Sequence, residues 1–181
     1  MKRHIVVFAG SRCLPEKESY YFDLAYRTGR LCAEAGFVVV TGGGYGLMDE
    51  VLRGATENGG KALAVGLNFE NRIDSPYAHD TTSFDAISPR LEKLIEIGDA
   101  YIALPGGIGT FHEIMSVLAL KHLKELPTDK PFILVDSYYQ LLENLFPTMQ
   151  KEGFISESLY SLYDTVNTPE EALNLIRTRL N

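Results

Sequence analysis

Short runs of almost continuous apolar residues recur along the chain and restrict its possible folds more than any other feature. The five clearest runs are Ile5–Ala9, Phe37–Thr41, Ala62–Gly66, Ala100–Leu104 and Phe132–Val135. A weaker candidate is Tyr163–Val166. None of the five alternates between apolar and polar residues, as a strand with one solvated face does. Continuous apolar strands are typical of a parallel sheet covered on both faces, so the pattern predicts such a sheet.

Longer segments with helical periodicity separate the predicted strands: Glu16–Ala35, Leu47–Asn58, Pro89–Ile97, Thr110–Lys124 and Ser137–Gln150. Gly36 stands where a helix-terminating glycine is expected. Ser137 and Gln140 match the capping box that begins a helix. Thr168 and Glu171 match it too, with a proline at the first helical position. This alternation over residues 1–181 predicts a single α/β domain of three layers, with a doubly wound, mostly parallel sheet.

The segment Leu67–Ser88 interrupts this alternation. It is rich in Asn, Asp, Ser and Thr and has no convincing period. Loops of this length are uncommon inside a compact domain and are usually functional. The segment follows the third predicted strand, at the edge where open α/β sheets bind ligands, so we predict a functional loop. The alternative is a disordered surface excursion.

Composition excludes several classes of protein. The 181 residues include 17 Lys and Arg against 24 Asp and Glu, a formal net charge of −7. Nucleic acids and anionic membranes attract an excess of positive charge, so neither is an expected partner, although a local group of amides can hold a small anion. No apolar run approaches the roughly 20 residues of a membrane span, and Ile5–Ala9 is too short for a signal-peptide core. Since Cys13 and Cys32 match no disulfide framework or zinc motif, we expect a reduced, cytoplasmic protein.

Three glycine-containing turns follow predicted strands: Ala9–Arg12, Thr41–Gly46 and Pro105–Thr110. Glycine lets backbone N–H groups approach an oxyanion, and a helix that begins there adds its free amides and the positive end of its dipole. Three such turns on one edge of a sheet predict an anion cradle, most naturally for phosphate. Any one of them alone is also compatible with a simple tight connection between a strand and a helix.

Several established motifs do not match. Leu47 occupies the position of the third glycine in the dinucleotide fingerprint that Gly42 would begin, and the chain has no P-loop. Ser116 stands where the zinc motif that begins at His112 needs a second histidine. The chain also has no serine-hydrolase elbow and no lysine in a recognisable pyridoxal-phosphate context. We therefore expect neither a metal nor a cofactor.

Two charged residues near the starts of predicted helices admit two interpretations each. Glu113 matches Thr110 in a capping box, but its helix opens at a glycine loop, so its carboxylate also points toward any ligand held there. Arg90 lies in the first turn of another helix and opposes the helix dipole, at a cost of about 0.3–1 kcal/mol. Either a nearby carboxylate or ligand oxyanion restores the balance, or Glu92 and Glu96 offset the charge on a solvated face.

Together the motifs resemble those of the Lonely Guy (LOG) family, also known under a lysine decarboxylase label. The diagnostic pattern P-G-G-x-G-T-x-x-E is intact at Pro105–Glu113. The element G-G-G-x-x-G-L-M is present, one residue shorter, at Gly42–Met48, and Phe8–Ser11 is similar to the family's first phosphate turn. The resemblance covers most of the chain.

The resemblance implies a dimeric, Rossmann-like enzyme that removes the base from a nucleoside 5′-monophosphate, such as AMP or a cytokinin riboside monophosphate, and leaves ribose 5-phosphate. The family's catalytic arginine and glutamate correspond here to Arg90 and Glu113, which are 23 positions apart. The residues expected to hold the phosphate are Gly10, Ser11, Gly43, Gly44, Gly106, Gly107, Gly109 and Thr110.

Departures from the family pattern bear on the base that is recognised. Leu91 stands where lysine is usual, Asp49 and Glu50 replace small residues, and Leu67–Ser88 is atypical. The alternative interpretation is a carrier of a nucleotide or of molybdenum cofactor without catalysis, because such carriers resemble the family and use a similar glycine-rich platform. A carrier does not need an arginine and a carboxylate that meet over one sugar, so the position of Arg90 relative to Glu113 discriminates between the two.

Overall fold

The computed structural model of the chain describes residues 2–70 and 74–180 and is built on one sheet of parallel strands. The strands are β1 (His4–Phe8), β2 (Val38–Thr41), β3 (Lys61–Leu67), β4 (Asp80–Phe84), β5 (Ala100–Ala103), β6 (Phe132–Val135) and β7 (Asp164–Val166). Their order in the sheet is β4-β3-β2-β1-β5-β6-β7. The chain builds outward from β1 to one side and then, from β5, to the other. The β1/β5 pair is therefore the topological switch point, where open α/β sheets bind ligands.

The described residues form six α-helices: α1 (Pro15–Glu34), α2 (Leu47–Glu57), α3 (Ile87–Ile97), α4 (Ile108–His122), α5 (Leu142–Lys151) and α6 (Pro169–Leu180). Two short 3-10 segments cover Ser137–Leu141 and Glu157–Ser161. Helices α1, α2 and α6 pack on one face of the sheet, and α3, α4 and α5 pack on the other. The prediction of a three-layer, doubly wound α/β domain with a Rossmann-like fold is confirmed.

The apolar strands are buried on both faces, which explains their continuous hydrophobicity. In β1, Ile5 and Val7 join the core cluster under α1 and α2. Val6 and Phe8 join the cluster on the opposite face. All four are at most 2% exposed. A polar residue at any of these positions would lose its hydration without gaining a partner, so neither face tolerates alternation.

The prediction that Leu67–Ser88 is one long loop is wrong. Strand β4 lies within it and pairs in parallel with β3, with Leu63 opposite Asp80. Helix α3 also begins inside it, at Ile87 rather than at Pro89. β4 is an edge strand made mostly of polar residues, so it lacks the apolar run from which the other strands were predicted. Residues 71–73 of the segment lie outside the described residues.

Helix boundaries agree with the local chemistry at two sites and differ at a third. Gly36, at φ +81°, follows the end of α1 as predicted. The capping box before α6 is confirmed, since Thr168 and Glu171 exchange hydrogen bonds of 3.1 and 3.3 Å. The predicted helix Ser137–Gln150 is wrong as a single element, because it divides into a 3-10 segment and α5. Its cap is Asp136, whose carboxylate accepts the amide of the second residue of that segment at 2.7 Å.

Two further features are the apolarity of the helices and the state of the two cysteines. Within the described residues, no helix combines the length and apolarity that crossing a bilayer requires. Cys13 and Cys32 are both free thiols. Burial raises the pKa of Cys32 to about 12, so this thiol stays protonated and unreactive at neutral pH.

Candidate active site

The structure brings the three predicted glycine loops together at the carboxyl edge of the sheet. They follow β1, β2 and β5, which are neighbouring strands. The Gly10 amide of the first loop donates to the carbonyl of Pro105 in the third, at 3.1 Å. The carbonyl of Gly10 accepts from the amide of Leu47, which ends the second loop and begins α2, at 3.0 Å. The N-termini of α2 and α4 therefore open beside the topological switch point, where their amides and dipoles favour an anion.

The second loop passes so close to the first that only glycine fits at one position. Gly46 has a φ of +67°, and a Cβ there would lie 2.4 Å from the carbonyl oxygen of Ser11. In the same loop, the Gly43 amide donates to the hydroxyl of Thr41 at 3.1 Å. Of the predicted phosphate groups in this loop, the Gly43 amide thus already has an acceptor within the protein.

The third loop is held on one side and open on the other. Thr110 is 4% exposed and packs on Gly106, where a Cβ would lie 2.2 Å from the threonine hydroxyl oxygen. A Cβ at Gly107 or Gly109 would meet no protein atom within 4 Å. The open side of the loop therefore leaves room for a ligand at the start of α4.

Arg90 and Glu113 meet beneath these loops in a buried ion pair. Arg90 Nη1 lies 3.0 Å from Glu113 Oε1, and the two side chains are 12% and 9% exposed. Arg90 Nε also donates to the carbonyl of Val65, in the second half of β3, at 2.9 Å. The guanidinium is therefore fixed to the sheet on one side and to α4 on the other. The two charged side chains that the enzyme interpretation needs to converge are therefore in contact.

The structure also decides between the two interpretations of each charged residue. Helix α4 begins at Ile108 with Gly107 as its N-cap, so Thr110 lies inside the helix and its predicted capping box with Glu113 is wrong. On α3, Glu96 pairs with Lys93 at 2.9 Å rather than with Arg90. The partner that offsets the charge of Arg90 is Glu113.

The environment of Glu113 acts on its acidity in two opposing ways. Burial raises the pKa of the carboxyl group above its ordinary value, because the charged form loses hydration. The Arg90 guanidinium opposes this by stabilising the carboxylate, but burial is the larger effect. A carboxyl group with a raised pKa at a ligand-facing edge has the property expected of an acid or base in catalysis.

The sequence did not indicate a group of aromatic residues that holds the third loop from below. Tyr139, which is buried, donates its hydroxyl to the carbonyl of Leu104 at 2.6 Å. Tyr138 donates its hydroxyl to the carbonyl of Gly106 at 2.8 Å. Phe111 packs against both tyrosine rings. No local motif predicts these contacts, since each joins residues more than 25 positions apart.

Among the described residues, no group of three or more His, Cys, Asp or Glu side chains is arranged to hold a metal ion. The groups at this edge include backbone amides, the Arg90 guanidinium and the Glu113 carboxyl group, with Asp49 and Glu50 in the first turn of α2. Of these, the amides, the guanidinium and the Glu113 carboxyl group suit the binding of a phosphate and the stabilisation of charge on a neighbouring group.

The fold and the site define a class: a Rossmann-like α/β protein with glycine loops at the switch point of its sheet and a buried Arg–Glu pair beneath them. Residues 48–176 match the model of a protein family described as "possible lysine decarboxylase". The chain belongs to this family, which includes the LOG proteins.

Proteins of known sequence and structure are similar to this chain over most of its length. A cytokinin riboside 5′-monophosphate phosphoribohydrolase of Rhodococcoides fascians is 30% identical over 97% of this chain and 90% of its own length. A probable enzyme of the same name from Oryza sativa subsp. japonica is 33% identical over 94% of this chain and 70% of its own length. The molybdenum cofactor binding protein of Rippkaea orientalis has a solved structure that superposes with a TM-score of 0.76, at 25% identity, over 100% of this chain and 99% of its own.

Proposed function

We propose that this protein hydrolyses the N-glycosidic bond of a nucleoside 5′-monophosphate, of the AMP or cytokinin riboside monophosphate type, to the free base and ribose 5-phosphate. The observation that carries the proposal is the buried contact of 3.0 Å between Arg90 and Glu113 beneath the glycine loops. The names of the sequence relatives support the same activity.

The loops bind the 5′-phosphate and thereby place the rest of the nucleotide. The amides at the starts of α2 and α4 supply N–H donors and dipole charge. Of the predicted contacts, those from Ser11, Gly44, Gly106, Gly107, Gly109 and Thr110 are kept, whereas the amides of Gly10 and Gly43 already donate to Pro105 and Thr41 and shape the loops. The phosphate does not react. Its binding energy holds the sugar in position over the ion pair, where orientation can be worth several orders of magnitude in rate.

Glu113 acts on the sugar. As the bond from the anomeric carbon to the base nitrogen breaks, its electron pair leaves with the base and positive charge develops on the ribose. The Glu113 carboxylate stabilises that charge and accepts a proton from the attacking water, whose oxygen bonds to the anomeric carbon. The departing base takes up one proton and Glu113 gives up the proton that it accepted from water, so the carboxylate is restored and the overall reaction consumes one water.

Arg90 orients this carboxylate and contributes its own charge. Its Nε is held by the Val65 carbonyl, so its terminal nitrogens face Glu113 and the loop after β2. There it contacts ribose or phosphate oxygens, or stabilises negative charge on the departing base. The fixed guanidinium needs little rearrangement during the reaction, which is the condition under which such electrostatic effects are large.

The test is to incubate the protein with a panel of purine and pyrimidine nucleoside 5′-monophosphates and to quantify free base and ribose 5-phosphate by chromatography. Glu113→Gln keeps the shape of the side chain and should reduce base release by about 100-fold or more while nucleotide binding persists. Glu92→Gln, an exposed position on α3, is the matched control. Full activity of Glu113→Gln, or no base release from any nucleotide by the wild type, would refute the proposal.

A second candidate function is binding of molybdenum cofactor without catalysis. It is favoured by the likeness to the molybdenum cofactor binding protein over the full chain. A carrier would bind the cofactor, release no base from nucleotides, and be insensitive to Glu113→Gln. Calorimetric titration of the protein with molybdenum cofactor, carried out beside the assay of base release, therefore separates the two functions.

A further inference from the structure

The backbone that leads from β5 into the third glycine loop is held at three successive carbonyl groups. The donors to residues 104, 105 and 106 are, in this order, the Tyr139 hydroxyl at 2.6 Å, the Gly10 amide at 3.1 Å and the Tyr138 hydroxyl at 2.8 Å. Tyr139 is 1% exposed and belongs to the core, whereas Tyr138 is 36% exposed. The last of the three bonds is therefore made by a surface residue, immediately before α4 begins.

The bond from Tyr138 determines the direction of the next amide. In a trans peptide unit the C=O and N–H groups point in opposite directions. Because the carbonyl of Gly106 is turned toward Tyr138, the N–H of Gly107 points away from it. Gly107 is the N-cap of α4, and a Cβ there would meet no protein atom within 4 Å. Gly107 thus has open space on its Cβ side, at the positive end of a helix dipole.

Tyr138 is itself held by a residue in an unfavourable backbone conformation. Asp136 has a φ of +92°, in a region that residues with a Cβ rarely adopt. Its carboxylate accepts the amide of Tyr138 at 2.7 Å and the hydroxyl of Tyr20, on α1, at 2.5 Å. Strain of this kind persists only where the surroundings enforce it, and it is concentrated at functional sites. Asp136 therefore connects α1 and the end of β6 to the third glycine loop.

We propose that Tyr138, anchored by Asp136, is a positioning residue that aims the Gly107 amide at the phosphate of the substrate. This inference rests on the proposed function, because it assigns a further residue to the same site. Tyr138 does not touch the reacting atoms. It acts through the Gly106–Gly107 peptide, so it should affect ligands that carry a phosphate and leave the rest of the nucleotide's binding unchanged.

The test compares Tyr138→Phe with Tyr160→Phe. The first substitution removes the hydroxyl and keeps the ring that packs against Phe111 and Tyr139. Tyr160 is also 36% exposed and serves as the matched control. Calorimetry should show that Tyr138→Phe binds ribose 5-phosphate about three- to tenfold more weakly than the wild type, the effect of one lost hydrogen bond, while its affinity for adenosine is unchanged. In ¹H–¹⁵N spectra, the Gly107 resonance should shift on addition of ribose 5-phosphate in the wild type and much less in Tyr138→Phe.

Each outcome bears on a different statement. Equal affinity of Tyr138→Phe and wild type for ribose 5-phosphate overturns the positioning role and leaves the proposed function intact. A parallel loss of adenosine affinity also overturns it, because general damage to the site weakens both ligands. If the wild type releases no base but its ribose 5-phosphate affinity still depends on Tyr138, the proposed reaction fails and the positioning role stands. A wild type that binds no phosphate ligand overturns both.

Discussion

Gly42 and Arg90 are in such close contact that a Cβ at position 42 would lie 1.9 Å from Arg90 Nη2. Glycine at this position is thus a condition for the ion pair with Glu113. In Gly42→Ala the guanidinium must move, and because it is held by Val65 and Glu113 in a buried ion pair, the variant should also lose stability. Base release should fall by about tenfold or more, since small displacements of catalytic groups have large effects.

The comparison for Gly42→Ala is Gly153→Ala, whose methyl group meets no protein atom within 4 Å but whose backbone, at φ +80°, disfavours a side chain, so this variant should lose stability and keep its turnover. Thermal unfolding and nucleotide turnover are measured for both. If Gly42→Ala retains wild-type turnover, the position of the guanidinium does not limit the reaction.

The pH dependence of base release should reflect the raised pKa of Glu113. The reaction needs the carboxylate, so activity is lost as the pH falls through this pKa. Burial raises the pKa, and the acidic limb of kcat/KM should therefore lie above about 4.3, the ordinary value for glutamate. Because Arg90 opposes the effect of burial, Arg90→Gln should raise the pKa of Glu113 further. Titration of ¹³C-labelled glutamate carboxyl groups by NMR measures the shift directly, and a pKa that falls in Arg90→Gln contradicts the assignment.

Lys121 should make stability depend on pH in alkaline solution. Lys121 is 2% exposed, and its ammonium group donates to the carbonyls of Lys130 and Leu162 at 2.7 and 2.5 Å. Burial lowers its pKa to about 8, against about 10.4 in an unfolded chain. Between these values the unfolded chain keeps the proton that the folded protein has released. The contribution of this lysine to the free energy of unfolding therefore rises with pH across this window, by at most about 3 kcal/mol.

Urea unfolding of the wild type and Lys121→Met at pH 7, 8.5 and 10 checks this dependence. The unfolding free energy of the wild type minus that of Lys121→Met should increase with pH. The same subtraction for Lys151→Met, a variant at an exposed lysine, should give a constant value. A difference that shrinks with rising pH would reverse the sign of the argument.

The expected homodimer can be tested on helix α4. The outward stripe of α4, continued by its C-cap Leu123, contains no Asp, Glu, Lys or Arg, and its members are His112, Met115, Ser116, Ala119, His122 and Leu123. Leu123 is 64% exposed. We propose that this stripe pairs with a second copy of the chain, because a helix with apolar residues on most sides is typically covered. Light scattering should give twice 20.1 kDa for the wild type and 20.1 kDa for Ala119→Arg.

The matched variant Thr178→Arg places the same charge on α6, on the opposite face of the sheet, and should remain dimeric. A monomeric wild type contradicts the dimer, and a dimeric Ala119→Arg contradicts the choice of α4.

The elements that could be predicted from the sequence are those whose surroundings restrict the residue types within the element itself. A strand covered on both faces must be apolar throughout, so β1 could be recognised without its neighbours. The edge strand β4 has no such requirement, and its polar residues read as a loop. The start of α4 was misjudged because Thr110 and Glu113 satisfy a local rule, while Gly107 and the distant Arg90 determine the actual arrangement.

The part of the candidate site that could be predicted from local sequence is its three glycine loops. Glycines after strands carry a local signature, and the resemblance to a family supplied the spacing from Arg90 to Glu113. The contact of Tyr138 with Gly106 spans 32 positions and depends on the strained turn at Asp136, so no short motif contains it. A sequence pattern reflects the requirements of its own segment, whereas the Tyr138 hydroxyl holds the backbone of a different segment, the third glycine loop.

The polar character of β4 has a consequence for how copies of the molecule meet. Both outermost strands of the sheet are short and carry charged or hydroxyl side chains, with Asp80 on β4 and Asp164, paired to Arg179, on β7. Such borders are poor templates for an incoming strand from another chain. Edge-to-edge pairing of strands from different copies, which could build a fibre, is therefore disfavoured at both ends of the sheet. The helical layers are left as the surfaces through which copies can associate.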